Sequence, residues 1–573
     1  MRMRQIRTTV ILLILIAGTV FGAFYFEEHP FLENAGRPTP TPEPLPSPTF
    51  RSFNPMRTVE VRSTATPDPI REPEEQQQAD LQQTEAITRL YTTEEGVIFT
   101  FNYSSDKGEL PSVLQALKDI GAQAVFFLKC DDLTLPADDA QNIISAGHEI
   151  GILMEKDSGI NAERQLELVQ ESENKLRSMG YTGEVFVRTA YGAPTETHLR
   201  AAAMGGYRLI GYLADLIPER VSRLSDAEEI LAQVFSEFNN VALQRGEIVS
   251  FQMGLFQHSN TVLADYIRAI AAQYLVYPVR SLGAMLGNTE LLYTYPLPDE
   301  QILPEVLNAI HPGHLKGVAD PMTVIAERYI GTVWVNIAEY LPGFTAQERY
   351  KLDKRGFVRN EKNHAYLTFD DWGPDETLSK LLSVLKKHDA KATFFVRTNN
   401  LDYNPNLLRA IAMEGHTIAC HTDRHLPLSH ETKNGRLYET LTDEEALELQ
   451  QDLVRSYDRM QRIVGDLTID GKPALSKLFR PPTLAVSKIG LQTVFDCGFT
   501  YSVSGSFSTE DYKATSAERL YRTMLANTRS GAVLVMHMSQ NSVYTAEAVD
   551  LLLTEMERRN SPLRFVSLAE DLE

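Results

Sequence analysis

Cysteine is scarce. Only Cys130, Cys420 and Cys497 occur in 573 residues, far apart and each in an apolar context. An odd and small number excludes a disulfide framework and leaves buried free thiols as the expectation. An exported chain this poor in cysteine fits a bacterial surface better than a disulfide-rich eukaryotic secretory one. Positive charge is also in deficit, with a net charge of −21. That argues against nucleic acid, or an anionic membrane surface, as the main partner. Between Thr8 and Phe26 there is no charged residue at all. A run of about 19 apolar residues is just enough to span a bilayer as a helix. No cysteine lies near it, which excludes a lipoprotein anchor, and no clear small-residue cleavage site follows.

Arg2, Arg4 and Arg7 precede this run, so residues 1–28 are expected to form a transmembrane signal anchor. Its N-terminus would be cytoplasmic and the rest of the chain outside. A cleaved signal peptide, giving a secreted protein, is the alternative. From Glu27 to Gln83 no apolar periodicity is sustained. Pro38 to Pro48 places a proline at every second position or so, which predicts extended polyproline II, and Glu74 to Gln78 is polar and reads as disordered. Residues 29–90 are thus a Pro-rich spacer. The remaining length is ample for two domains.

The most informative stretch is Tyr366 to Pro374. An apolar, β-prone run over Ala365–Phe369 ends in two adjacent carboxylates, Asp370 and Asp371, followed by Trp372 and a Gly-Pro turn. This predicts a buried strand that delivers two acids to the C-terminal edge of a sheet, where α/β folds place their chemistry. Downstream, His421 and His425 are four residues apart, a spacing that puts two imidazoles on one face of a helical turn. Two more strand-like segments end in Arg480-Pro481-Pro482 and in His537. Acid, paired histidines, arginine and a further histidine, each at a strand end, are what a metal-assisted hydrolase requires.

The first half repeats the second without the chemistry. At one constant offset Thr100-Phe101 falls on Thr368-Phe369, Ala124–Phe127 on Ala392–Phe395, and Gly147-His148 on Gly415-His416. Later Arg188 matches Arg480, and Gly246–Gln252 matches Gly531–His537. Asn102 and Tyr103 stand for Asp370 and Asp371, Leu153 and Asp157 for the two histidines, and Gln252 for His537. Leucine cannot ligate a metal and glutamine cannot serve as an acid near neutral pH. His416 recurs as His148 in this half, so it is read as structural. His311 and His314 are read as loop residues, and His364, His388 and His430 as surface residues.

Thr368–Asp371, His421-x-x-x-His425, Arg480-Pro-Pro482 and Val535-Met-His537, in this order, resemble the polysaccharide deacetylase family, the NodB homology group or carbohydrate esterase family 4. The resemblance covers 361–573. It implies an α/β fold of two tandem NodB-like distorted (β/α) barrels, each closed from seven strands, after the transmembrane helix and linker. Residues 91–290 would be a degenerate, inactive copy, 291–360 a connector and 361–573 the catalytic domain.

The resemblance also implies roles. Asp371, His421 and His425 would bind a divalent metal, zinc by default, with Co2+, Ni2+ or Mn2+ also fitting. Asp370 would be the general base, held ionised by Arg480, and His537 the acid for the leaving amine. Trp372, Pro482, Thr483, Tyr512 and Val535, with Met536, would contact substrate, the Thr483 N–H facing the oxyanion. Three positions depart from the family pattern: Trp372 replaces a usual glycine, Thr483 a frequent aromatic, and the acidic partner of His537 is displaced, with Asp511 the nearest substitute. The implied activity is removal of N-acetyl groups from N-acetylglucosamine units of an envelope polysaccharide, peptidoglycan foremost. Chitin-like oligosaccharide, exopolysaccharide, removal of O-acetyl groups, or a non-catalytic envelope scaffold are the alternatives.

Overall fold

The first sheet forms where short β-prone runs alternate with amphipathic helices, the pattern that builds a parallel sheet with helices outside. In a computed structural model its strands are β1 (Ile98–Asn102), β2 (Val125–Leu128), β3 (Glu149–Met154), β4 (Phe186–Thr189), β5 (Ala214–Asp215) and β6 (Ile248–Gln252). They lie in the order β4-β3-β2-β1-β6-β5, all parallel. The structure describes residues 85–573 apart from 106–107, 130–136, 157–158, 191, 257–258, 335–340 and 432–437. The anchor expected over Thr8–Phe26, most of the spacer, Cys130 and Asp157 lie outside these. Among the described residues no helix is long and apolar enough to cross a membrane.

The second sheet begins before the expected domain start. After the helix Pro321–Arg328, β7 (Tyr329–Ile330) joins it, followed by β8 (His364–Asp371), β9 (Ala392–Val396) and β10 (Thr417–Cys420). A small hairpin, β11 (His430–Glu431) with β12 (Tyr438–Glu439), and another, β13 (Thr468–Ile469) with β14 (Lys472–Pro473), stand apart from it. The sheet continues with β15 (Leu475–Phe479), β16 (Tyr501–Val503), β17 (Phe507–Ser508), β18 (Val533–His537) and β19 (Arg564–Phe565). The order is β17-β18-β8-β9-β10-β15-β16-β7, with β19 on the first residues of β8. This corrects the expected seven-stranded closure. The connector supplies an edge strand at β16, and among the described residues no ladder joins β7 to β17.

Period-two alternation sorts the side chains into two layers. Ile330, Tyr366, Phe395, Ala419, Leu478, Val503 and Val533 meet in one cluster, so the sheet curls round a shared interior. Phe369, Phe394, Leu534 and Met536 face the helices in a second, larger cluster. Leu297, Ile302, Val306, Ile310 and Leu341 from the connector pack into that same cluster.

Register is common to the two sheets. Thr100 pairs with Val125 and Phe101 with Phe126, as Thr368 pairs with Thr393 and Phe369 with Phe394. His148 Nδ1 accepts the Ala124 N–H at 3.3 Å, and His416 Nδ1 accepts the Ala392 N–H at 3.3 Å. Burial lowers both imidazoles, to about 4 and about 3, so they are neutral acceptors at every ordinary pH.

The described residues from 85 to 573 cluster as one unit, and the seam between its halves is polar and buried. Asn406, fully buried, accepts the Thr92 N–H at 3.0 Å and donates to Leu90 O at 2.8 Å and Arg245 O at 2.7 Å. Gly246 is required there, because a Cβ would lie 2.3 Å from Leu90 O and 2.7 Å from Asn406 Nδ2. Asp375, in the first turn after the acid pair, accepts the Arg245 N–H at 3.4 Å and an Asn404 side-chain N–H.

Candidate active site

At the C-terminal edge of the second sheet, Asp370 and His537 are register partners on adjacent strands. Asp370 is 2% exposed, and Asp371 has φ 78. Aspartate is among the few residues that visit this left-handed region readily. The reversal ends the strand and lets two neighbouring carboxylates serve different partners. The turn that follows needs Gly373, where a Cβ would sit 1.8 Å from Met538 O.

Arg480 is fully buried beneath Asp370. Its Nη1 donates to Asp370 Oδ1 at 2.7 Å and to Thr368 Oγ1 at 2.6 Å, and Nε donates to Val503 O at 2.9 Å. The guanidinium lies 4.1 Å over the Phe395 ring. Burial pushes the Asp370 carboxyl above its ordinary range, against the opposing charges of Arg480 and His537. Burial likewise lowers Arg480, against the pull of Asp370. The Arg480 charge and hydrogen bond oppose the upward shift of Asp370.

Asp371, His421 and His425 converge, with one ligand atom from each lying within 4.8 Å of the others. His421 Nε2 is 4.0 Å and His425 Nε2 3.7 Å from Asp371 Oδ1. His421 Nδ1–H donates to Arg480 O at 2.9 Å, which fixes the tautomer and leaves Nε2 bare toward Asp371. Burial, then the neighbouring His425, lowers His421 to about 3, and burial lowers His425 as well. Two neutral imidazoles and a carboxylate with an open side fit a catalytic divalent ion.

The two histidines are not on a helical turn. Thr422 and His425 have φ 65 and 62, and residues 421–427 form a loop. A residue that spacing alone did not single out holds it there. Asp452, fully buried, accepts the Asp423 N–H at 2.6 Å and the Arg424 N–H at 3.3 Å, and Arg424 Nε lies 3.0 Å away. Thr398 Oγ1 donates to Asp423 Oδ1 at 2.8 Å. The signal was present: Asp452 lies in the buried stripe Leu449, Leu453, Ser456 of the helix Asp443–Val464, where a carboxylate needs a reason. That helix begins at Thr442 with a capping box to Glu445, the pairing that a Thr-x-x-Glu spacing encodes.

His537 is gripped by Asp511. Its Nδ1–H donates to Asp511 Oδ1 at 2.7 Å and its backbone N–H to Oδ2 at 2.9 Å, while Thr545 Oγ1 donates to Oδ2 at 2.6 Å. Burial alone would lower the imidazole. The Asp511 hydrogen bond and charge, then Asp370 and Asp371, carry it above its ordinary value.

The remaining residues divide. Tyr512 is 43% exposed and meets His537 edge-on at 5.0 Å. Trp372 is half-buried, Pro482 buried, and Thr483 exposed with φ 61. Val535 shares the face of Val533 and His537. Met536 points the other way, into the helix-facing core, so it cannot wall the cleft. His364 and His388 are not surface residues. His364 is buried with Nδ1 2.6 Å from Asp571, and the His388 side chain is held between Asp550 and Glu557 at 2.6 Å each.

In the first half, Arg188 repeats the Arg480 geometry without an acid. Nη1 donates to Thr100 Oγ1 at 2.8 Å and Asn102 Oδ1 at 3.3 Å, and the guanidinium lies 4.2 Å over Phe127. Asn102 Nδ2 donates to Gln252 Oε1 at 3.2 Å. With no carboxylate paired to it among the described residues, burial lowers Arg188 to about 9.

Residues 358–502 match the sequence profile of the polysaccharide deacetylase family. That span contains Asp370, Asp371, His421, His425 and Arg480 and ends before Asp511 and His537. A peptidoglycan-N-acetylglucosamine deacetylase of Bacillus cereus is 30% identical over 213 residues, which are 36% of this chain and 67% of the relative. A second protein of that name and organism is 28% identical over 236 residues, 39% of this chain and 96% of the relative. A crystal structure of a peptidoglycan N-acetylglucosamine deacetylase in complex with a naphthalenyl N-oxidanyl-benzamide is 26% identical, covers 38% of this chain and 91% of that one, and aligns with a TM-score of 0.31.

Proposed function

The chain belongs to the polysaccharide deacetylase family, and on that premise we propose that its second half hydrolyses N-acetyl groups from the N-acetylglucosamine units of peptidoglycan, releasing acetate. The observation that carries the reading is the convergence of Asp371, His421 and His425 beside the Asp370–Arg480 and Asp511–His537 pairs. The names of the relatives favour peptidoglycan over chitin-like oligosaccharide or exopolysaccharide.

Asp371, His421 and His425 would hold a divalent ion, zinc by default, with Co2+, Ni2+ or Mn2+ as substitutes. Such an ion, when bound, polarises a carbonyl and lowers the pKa of water. Asp370 takes the proton from the attacking water, aimed by Arg480, which Thr368 in turn holds. The Thr483 N–H assists the oxyanion. His537 is oriented by Asp511 through Nδ1, so Nε2 is the atom that delivers a proton to the departing sugar amine. Val535, Tyr512, Trp372 and Pro482 would line the acetyl and sugar subsites.

The first half, 91–290, is on this reading a copy that has lost turnover, since Asn102 carries no carboxylate, Leu153 no donor atom and Gln252 no proton to give near neutral pH. Arg2, Arg4, Arg7 and the uncharged Thr8–Phe26 support a location at the bacterial envelope, anchored in the membrane with the enzyme outside.

The test is acetate release from peptidoglycan and from N-acetylglucosamine oligomers, with zinc added or chelated, against Asp371→Ala combined with His421→Ala. Release that needs the metal and vanishes in the variant is expected. A wild-type protein that binds one metal tightly yet releases no acetate from any of these substrates would sink the reading in favour of a non-catalytic glycan-binding protein.

A further inference from the structure

A cavity of about 370 Å³ lies at the seam between the two halves. Both line it: Arg89, Tyr91, Leu213, Gln244 and Glu247 from the first, Tyr403 from the second. Its floor is polar. Glu247 is 7% exposed and accepts the Gln244 N–H at 2.7 Å, while Arg89 Nη2 donates to Gln244 Oε1 at 2.6 Å. Arg89 Nε is buried with no partner among the described residues. Burial pushes the Glu247 carboxyl up to about 7, against the Gln244 N–H and Arg89. The mouth is apolar. Tyr403 is 67% and Leu213 49% exposed, and Tyr91 sits inside, its ring 5.0 Å from Tyr295.

Aromatic surface over a floor of acid, amide and guanidinium matches a pyranose, which offers C–H faces and a rim of hydroxyls. An apolar peptide would cover the half-buried Arg89 and Gln244 side chains without bonding their remaining polar atoms, at a cost for each. The volume is within the range of small-molecule sites. Position also favours a sugar. Tyr403 ends the loop that begins at Arg397, whose N–H donates to Asp371 O at 3.0 Å. Along that loop Asp402 is fixed by the Tyr295 hydroxyl at 2.7 Å. One loop thus connects the seam to the candidate metal ligands.

We propose that the seam pocket is a second saccharide site, built jointly by the two halves, which holds a neutral sugar of the same polymer while another unit is processed at Asp371, His421 and His425. This rests on the saccharide reading of that centre. It gives the first half a function at its junction with the second, independent of its own altered cleft.

The test uses the full-length protein and measures co-sedimentation with insoluble peptidoglycan, alongside acetate release from a soluble N-acetylglucosamine dimer. The variants are Tyr403→Ala, which removes the platform, and Leu213→Arg, which blocks the mouth. Both positions are exposed, and an unchanged melting temperature verifies the fold. Apparent affinity for the polymer should fall about fivefold or more in each, with release from the dimer unchanged. Polymer binding equal to wild type in both variants overturns the proposal. So does loss in Tyr403→Ala alone, which would make Tyr403 a surface contact and leave the pocket empty. Wild-type binding that both variants weaken, with no acetate released from any substrate, would sustain the pocket and overturn the reaction instead.

Discussion

His537 depends on Asp511 for two properties at once. The carboxylate fixes the imidazole tautomer, and its charge raises the imidazolium above the ordinary value of about 6.5. As the general acid of the proposed reaction, His537 would work in its protonated form, so activity should be present below its folded pKa and lost as pH rises through it. Asp511→Asn should therefore move the basic limb of the pH–rate profile to lower pH and reduce kcat about 10²- to 10⁴-fold. A profile that keeps its basic limb in the variant would exclude His537 as the titrating acid. Gly373 makes a different residue-level demand, since any side chain there meets Met538 O. Gly373→Ala should destabilise by about 1–3 kcal/mol, read from urea unfolding, and displace Asp371 and Trp372 with the turn.

Among elements, the loop 421–425 matters most. Left-handed residues at Thr422 and His425 are costly unless the surroundings hold them. Asp452 does so from a helix, through two backbone N–H groups and Arg424. Asp452→Ala should leave the helix Asp443–Val464 formed, by circular dichroism, while metal affinity falls about 10- to 100-fold in a competitive chelator titration. Unchanged affinity would mean that the loop holds its shape without Asp452. Strand β18 teaches a plainer lesson. Val535 and Met536 are neighbours in sequence, yet only the residue in phase with His537 can line the cleft, because side chains alternate across a sheet.

Across the whole molecule, the seam is a structural commitment. Asn406 makes three hydrogen bonds to backbone groups of the first half, all buried. Asn406→Ala would strand two carbonyls and one N–H, at about 2–3 kcal/mol in thermal or urea unfolding. The same change should expose the seam to proteolysis before global unfolding. Because Asp375 bonds Arg245 only four residues after Asp371, removing residues 85–290 should also weaken metal binding by the second half.

The sequence by itself determined the local and periodic features: strands that lead to Asp371, Arg480 and His537, the capped helix after Thr442, the repeat, and the types of residue a metal-assisted hydrolase needs. These were legible because strand alternation, helix caps and ligand chemistry act over a few residues. Tertiary structure decided what depends on distant partners. It put His421 and His425 on a loop rather than a helix, because Asp452 satisfies that loop's backbone from elsewhere. It buried His364 and His388 against carboxylates more than a hundred residues away. It took an edge strand from the connector, and it made a pocket from Glu247 and Tyr403, which no spacing in one dimension relates.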